Sequence, residues 1–532
     1  MPNSHQSSRR PLGAQISHML KDRGVDVIFG IPGVHNQEMY RGIEEAGITH
    51  VLARHEQGAG FMADGYARAT GKPGVAYVIT GPGVCNIMTS MGQAYSDSVS
   101  MLVISSCLDE TASRKGQLHQ MNDQEIAAAT VCDWSHTAHS PAAAYGLVDR
   151  AFEEFQTQRP RSKHIQVPIA QLEADADPAP APNMPAARAA AGVPGIAPLL
   201  SLLNLARRPL FILGGGASGT FWRQIMSQTG AACFQTYAGR GCVGAGYALD
   251  FGSTLARPGS AEVIASADLV IAIGTELAEV DLWRHRLGHT APLVRVDIDP
   301  VSLSDDQRAT VKLLADAGDV ATALQAATED QSPATGWSED EVALANARWR
   351  SETDAERPGI VPICDALRAA LPADTMIYSD MTQFAYTAKE VWAMARPGHW
   401  HHPYGFGTLG YALPAGIGGA VARPGLPTMV IIGDYGFQYT MAELGVAVEL
   451  GLPIPIILWD NGKLKEIEDS MTRAQIAPNA VIARNPDFCK LAESFGAISA
   501  APKSLEQMQQ AVQVAFQADG PTLIHLTPKV TG

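Results

Sequence analysis

Two runs bearing acids and amides stand late in the chain, Gly433-Asp434-Tyr435-Gly436 and Asp460-Asn461-Gly462, with Asn461 27 positions after Asp434. Each follows an apolar, β-branched run, TMVII and IPIILW, and the first leads into FQYTMAELGVAVELG, which has helical periodicity. Asp434 is therefore expected where a parallel strand meets a helix N-terminus, the edge at which open α/β sheets bind ligands. Unpaired amides and the positive end of a helix dipole suit a phosphate there, and a carboxylate beside them suits the divalent cation that phosphates carry. Mg²⁺ takes an octahedral set of oxygens, which Asp434, the Asn461 amide oxygen, a backbone carbonyl near Lys463, phosphate oxygens and water would supply. Either dipeptide alone is ordinary turn chemistry. The spacing and the strand-helix-strand context make the pair informative.

A further carboxyl group lies far upstream. ITHVLARHEQGAGFMADGYARATGKPGVAYVIT reads as strand, helix, strand, with Glu56 at the start of the helix. Desolvation in an apolar cleft favours the neutral form of a carboxyl, so Glu56 is suited to sharing a proton near neutral pH. By itself it also reads as a first-turn acid complementing the helix dipole. Downstream, Thr80-Gly-Pro-Gly83 follows the strand VAYVI and opens a predicted helix, GVCNIMTSMGQAYSD, offering amides to a ligand.

These groups require sheets whose carboxyl edges carry them. Short β-branched runs recur throughout, among them GVAYVIT, MLVISS, PLFILGG, LVIAIG, LVRVDID and TLIHLT, separated by stretches of helical character. That rhythm predicts an α/β protein of doubly wound parallel sheets. An Ala/Pro-rich segment from about Glu173 to Pro194 and a polar stretch from Thr328 to Glu341 interrupt it, giving three domains at 10–175, 190–330 and 355–532. A formal charge of −15 disfavours nucleic acid and anionic membrane as partners. Seven scattered cysteines indicate neither a disulfide framework nor a zinc site. A polar start and the lack of a long apolar run predict a cytoplasmic protein with a small-molecule substrate.

The Gly433–Gly436 and Asp460-Asn461 pair resembles the thiamine diphosphate motif, a Gly-Asp-Gly followed at this interval by Asn-Asn. Tyr435 replaces the usual second Gly, and Asp460 the first Asn. RHEQGAGFMADGYAR and GTLGYALPAGIG are likewise similar to the thiamine diphosphate-dependent enzymes of the acetolactate synthase and 2-oxo acid decarboxylase family, most of all to the subgroup of acetolactate synthase-like proteins and 5-guanidino-2-oxopentanoate decarboxylases. The resemblance implies a pyrimidine-binding first domain, a central domain, a diphosphate-binding third domain, and thiamine diphosphate with Mg²⁺. It implies that Glu56 activates the aminopyrimidine, that Gly81 lies near the thiazolium, that the Gly407 carbonyl meets the pyrimidine amine, and that Leu409 wedges the rings into a V. Gly433, Asp434, Tyr435, Gly436 and Asn461 would hold the diphosphate, with Asp434, Asn461 and the Lys463 carbonyl on the metal.

His119 and Gln124 fall where relatives carry polar active-site side chains, and Glu466 falls on the helix that covers the cofactor. Glu466 also offers a fork-compatible partner for a guanidinium-bearing substrate. Of His401 and His402, at most one is expected to line the pocket. The implied reaction is addition of a ylid to a 2-oxo acid, loss of CO₂, and either protonation of the enamine or its capture by a second carbonyl. Decarboxylase, acetolactate synthase-like carboligase and hydroxyketone lyase share these residues, and a catalytically silent cofactor-binding regulator is the rival from another class. Active sites would lie between subunits of a homodimer or homotetramer. Gly214-Gly-Gly216 and Asp297-Ile-Asp299 in the central domain invite a dinucleotide such as FAD, yet the glycine pattern is incomplete, and an empty domain is expected.

Overall fold

The computed structural model describes residues 9–184, 186, 188–218, 222–482 and 484–531. Three wholly parallel sheets follow one another along it. The first has the spatial order Thr49–Leu52, Val27–Gly30, Gly74–Val78, Met101–Cys107, Lys163–Pro168, Ser135–Thr137. The third runs Trp400–His401, Met376–Ser379, Thr428–Gly433, Pro455–Trp459, Thr522–Leu526, Ile498–Ala500. Numbered along the chain, both read 2-1-3-4-6-5, so both reverse direction between their first and third strands. That reversal is where ligands enter open α/β sheets. The central sheet has the order Ala232–Gln235, Pro209–Leu213, Leu269–Ile273, Leu293–Asp297, Val311–Leu314.

The β-branched runs become the buried strands because helices cover both faces of each parallel sheet. Between the first and third domains the cover is shared. The helix Glu56–Thr70 lies on the helix Ala412–Ala422, and Ala59, Met62, Ala63, Leu413 and Ile417 enter one hydrophobic core with residues of both sheets. Small residues permit the close crossing: a Cβ on Gly418 would stand 1.9 Å from the Met62 carbonyl oxygen. Polar bonds fix the register, Tyr378 Oη donating to the Gly65 carbonyl at 2.9 Å and Tyr411 Oη to Asp64 at 2.7 Å.

The two interruptions of the α/β rhythm behave differently. Among the described residues between Ala176 and Val193 there is neither helix nor strand, as suits a strap. The polar stretch instead leads into the helix Glu339–Glu356, and Trp337, Val342 and Trp349 join Phe234 and Phe251 in the central core. That core therefore reaches well past residue 330. The indoles, hidden in a polar context, supply its apolar area, and Trp337 Nε1 donates to the Pro209 carbonyl at 2.8 Å.

Replacing Gly418 by Ala tests the crossing. Helix propensity alone would favour Ala by about 0.8–1.0 kcal/mol, but the backbone contact must open, at about 1–3 kcal/mol. The expected outcome is a lower urea midpoint, and an unchanged or raised midpoint would show that the two helices separate freely.

Candidate active site

At the carboxyl edge of the first sheet, Glu56 is the first residue of its helix and only 9% exposed. Its Oε2 accepts a hydrogen bond from Asn86 Nδ2 at 2.8 Å. Asn86 comes from the helix Pro82–Ser96, whose N-cap is Gly81. Gly81 has φ of 70° and faces the His119 carbonyl, which an added Cβ would approach to 2.4 Å, so the turn demands glycine on both counts. Gln124 Oε1 accepts from the Gly81 amide at 2.8 Å, while its Nε2 donates to the Ser106 carbonyl at 2.9 Å and to Gln166 at 2.8 Å. Gln124 thus holds the turn, and this geometry supports a positioning role. His119 has left-handed backbone (φ 62°) and sets its ring edge-to-face against His35, the centroids 5.0 Å apart.

At the carboxyl edge of the third sheet, Gly433 caps the helix Asp434–Thr440. Asp434 is 4% exposed; its Oδ2 accepts from the Gly462 amide at 3.1 Å and from Asn485 Nδ2 at 2.7 Å. Asn485 Nδ2 also donates to Asp460 Oδ1 at 2.9 Å, and His525 Nε2 lies 2.9 Å from Asp460 Oδ2. Burial, with the neighbouring Asp460 charge, pushes Asp434 above the ordinary carboxylate range despite Asn485. Burial also opposes ionisation of Asp460, but bonds from His525 and Asn485 outweigh it and hold that group low. Asn461 Oδ1 accepts from the Lys463 amide at 3.2 Å, and its Nδ2 donates to Gln383 at 3.2 Å. An amide oxygen has a second lone pair, so this bond leaves capacity for a cation.

Gly436 sits where a Cβ would come within 2.5 Å of Asp380 Oδ2. Asp380, fully buried, accepts from the Met381 amide at 2.7 Å and from the Gly410 amide at 2.8 Å, and burial lifts it to about 7. It thereby ties down the loop that carries Gly407 and the half-buried Leu409. Tyr435, whose amide donates to Asp434 Oδ1 at 3.0 Å, does not share this constraint. His401 borders the cleft among the three domains, whereas His402 bonds Ser379 Oγ at 2.9 Å.

The single helix expected after Asp434 is divided into Asp434–Thr440, a 3-10 turn Met441–Glu443 and Leu444–Glu449. Thr440 Oγ1 donates to the Gly410 carbonyl at 2.8 Å, and the turn delivers Glu443 to the first domain. Glu443, 1% exposed, accepts from the Arg54 amide at 3.1 Å and the His55 amide at 2.9 Å, immediately before Glu56. Arg54 adds a second link, its guanidinium pairing with Glu449 of the third domain. Burial pushes Glu443 up from 4.5 to about 7. Glu466, on the helix Lys465–Arg473, accepts from Gln383 Nε2 at 2.9 Å and takes the Arg357 guanidinium in a fork of 2.9 and 3.2 Å.

A separate cavity of about 460 Å³ lies where the three domains meet. Gly215, Gly216, Asp97, Glu276, Asp281, Asp297 and Asp316 line it together with Arg68 and Arg159. Both arginines are already paired, Arg68 with Asp64 at 2.6 Å and Asp97 at 2.9 Å, Arg159 with Glu276 and with Asp299 at 3.5 Å.

The donor set at Asp434 and Asn461 fits a hard cation carried by phosphates: it is built of oxygens, and the neighbouring Asp460 charge keeps Asp434 above the ordinary carboxylate range, where a cation would bring it down. Among the described residues no three His, Cys, Asp or Glu side chains gather into a metal cluster, so phosphate oxygens would have to complete the shell. Comparison with known proteins decides the family. The N-terminal, central and C-terminal domains of the thiamine pyrophosphate enzymes match residues 10–126, 196–324 and 380–526.

The chain belongs to the thiamine pyrophosphate enzyme family.

It is 42% identical to a probable 2-ketoarginine decarboxylase of Pseudomonas aeruginosa, across 97% of this chain and 93% of that protein. It is 27% identical to the acetolactate synthase isozyme 2 large subunit of Escherichia coli (97% and 95% covered) and 29% identical to an acetolactate synthase large subunit of Parasynechococcus marenigrum (96% and 86%). The protein is thus a thiamine diphosphate-dependent enzyme.

Within this family member the structure adds Asn86, Asp380, Gln383, Glu443 and Asn485 to the residues singled out from the sequence. Ser379-Asp380 follows the strand Met376–Ser379 as Gly433-Asp434 follows its own, a signal of the same kind. Asn485 and Glu443 carried none, being loop and helix residues whose partners come from elsewhere.

Glu443 gives a pH prediction. The folded chain holds its proton more tightly than the unfolded chain does. Its contribution is therefore full below 4.5 and lost as pH rises through about 7. Glu443→Gln should remove about 3 kcal/mol of this pH dependence. Thermal midpoints at pH 5 and pH 8 should shift in the variant's favour at the higher pH, and a gap between the two proteins independent of pH would refute the assignment.

Proposed function

We propose that the enzyme uses thiamine diphosphate and Mg²⁺ to remove CO₂ from a 2-oxo acid, releasing the aldehyde. Thiamine diphosphate, when bound, supplies a nucleophilic carbon and an electron sink for the bond next to a carbonyl. The observation that carries the reading is Glu56, buried and held by Asn86 at the edge of the first domain. A protein that only bound the cofactor would need oxygen ligands for its metal but not this acid.

In this reading Glu56 would hold and move a proton at the aminopyrimidine, and Gly407 and Leu409, on the loop tied down by Asp380, would hold the ring system. Asp434, Asn461 and the Lys463 carbonyl hold Mg²⁺, with Gly433, Tyr435 and Gly436 shaping the diphosphate turn. Asn485 orients Asp434, and Gln124 and His119 brace the Gly81 turn beside the reacting centre. The 42% identity to a 2-ketoarginine decarboxylase makes 5-guanidino-2-oxopentanoate the first substrate to try. Likeness to acetolactate synthases supports carboligation as the second reading, since both outcomes use these residues. Two or four copies would complete the sites between subunits. The excess of acids over unpaired cations in the three-domain cavity opposes a diphosphate-bearing flavin there, so FAD stays outside the proposal.

The test is CO₂ release from a panel of 2-oxo acids, with and without thiamine diphosphate and Mg²⁺, and with the products identified. Glu56→Gln should lower release by about 10²–10⁴-fold while cofactor still quenches intrinsic fluorescence. Asp434→Ala should abolish the Mg²⁺-dependent part of that quenching. Full turnover in the first variant, or unaltered metal dependence in the second, would refute the respective role.

A further inference from the structure

The helix Lys465–Arg473 has no buried residue. It is tied to the body of the third domain through Glu466, which meets Arg357 in a two-pronged ion pair and Gln383 through one shared oxygen. Gln383 in turn accepts from Asn461, so Glu466 is one amide removed from the turn that would hold the metal. Tyr386 closes another side, its ring centroid 5.8 Å from the Arg357 guanidinium carbon. The pair is half-buried, its side chains 17% and 29% exposed. Burial opposes ionisation of Glu466, but the Arg357 bonds prevail and keep it below the usual carboxylate range.

Carboxylate, amide and aromatic ring form a receptacle shaped for a planar guanidinium, and the chain itself shows that the group fits. The occupant also has somewhere to go. Arg357 Nη1 lies 3.5 Å from Glu356 Oε2, and the Glu356 and Glu390 charges both stabilise the cation. A guanidinium entering at Glu466 would leave that acid paired, while Arg357 would keep its contact with Glu356, a carboxylate that also binds Arg257 and whose side chain is 52% exposed, so that it can serve two cations.

We infer that Glu466, Gln383 and Tyr386 form a guanidinium-receiving subsite that Arg357 occupies and that it vacates for the cationic side chain of a substrate. The inference rests on the proposed function only for the word substrate; the subsite itself is testable by binding. Arg357 acts as an internal competitor, and the apparent affinity for an external guanidinium is divided by the fraction of chains whose subsite is open. If Arg357 occupies it nine-tenths of the time, removing the competitor tightens binding about tenfold.

The experiment is calorimetric titration of the full-length protein with 5-guanidinopentanoate, a non-reacting guanidino acid, against heptanoate as the uncharged comparison. The wild type should prefer the guanidino acid. Arg357→Met should bind it about tenfold tighter or better, and Arg357→Lys, which keeps charge but loses the fork, should gain less. Glu466→Gln, alone or combined with Arg357→Met, should abolish the preference over heptanoate. Unchanged or weaker binding in both Arg357 variants, with normal thermal midpoints, overturns the inference, as does a preference that survives Glu466→Gln. The two readings fail separately: cofactor-dependent CO₂ release from uncharged 2-oxo acids without the gain in the Arg357 variants removes the subsite and leaves the enzyme. The gain without CO₂ release from any 2-oxo acid removes the decarboxylase and leaves a cation-binding subsite.

Discussion

The crossing of the helices Glu56–Thr70 and Ala412–Ala422 is the constraint on which the rest depends. Two backbones approach so closely at Gly65 and Gly418 that neither tolerates a side chain, and the surrounding methyl and methylene groups belong to one core shared by two domains. Because interiors are close-packed and deform little, this contact fixes the angle between the first and third sheets. It therefore also fixes where their carboxyl edges stand. Glu56 begins the first helix, and the loop with Gly407 and Leu409 leads into the second, so the residues proposed to act on the cofactor sit on the elements that make the crossing.

Buried carboxyl groups refine what the crossing sets coarsely. Glu443 accepts the amides just before Glu56, and Asp380 accepts the Gly410 amide just before the second helix. Burial lifts each to about 7, so near neutral pH both lie between charged and neutral forms. Each orients a backbone segment on which the chemistry stands, Glu443 across the domain boundary and Asp380 within the third domain. Glu443 stands at the end of the 3-10 turn Met441–Glu443, at the point where the chain passes beside the first domain.

The three-sheet architecture, Glu56 at a helix start and Asp434 at a strand end were legible in the sequence because each rests on local pattern: β-branched runs, a polar residue at the change of period, a glycine before an acid. At Tyr435 the steric constraint of the turn falls instead on Gly436, against which Asp380 packs, and the Tyr435 amide donates to Asp434. What stayed hidden depends on partners distant in the chain. Gln124 stands where relatives carry a polar active-site side chain, and its bonds to Gly81, Ser106 and Gln166 come from elements that its local sequence does not reveal. Glu466 reads as a fork-compatible partner for a guanidinium, and the guanidinium it holds is that of Arg357, 109 residues away. The break after Thr440 was invisible because its cause, the Gly410 carbonyl, lies 30 residues away.

The link from Arg54 to Glu443 spans 389 residues of chain. At the ribosome's pace of about 5–20 residues per second, the first domain, whose last strand ends at Pro168, waits roughly 14–55 s before Glu443 is made. Through that interval the Met62 and Gly65 face of its helix has no cover, and it is an apolar surface of the kind to which chaperones bind and on which nascent chains associate. The intimacy that aligns the two edges in the finished enzyme is thus also a delay in its birth, and the stretch of synthesis between the two helices is when the chain is most exposed to misassembly.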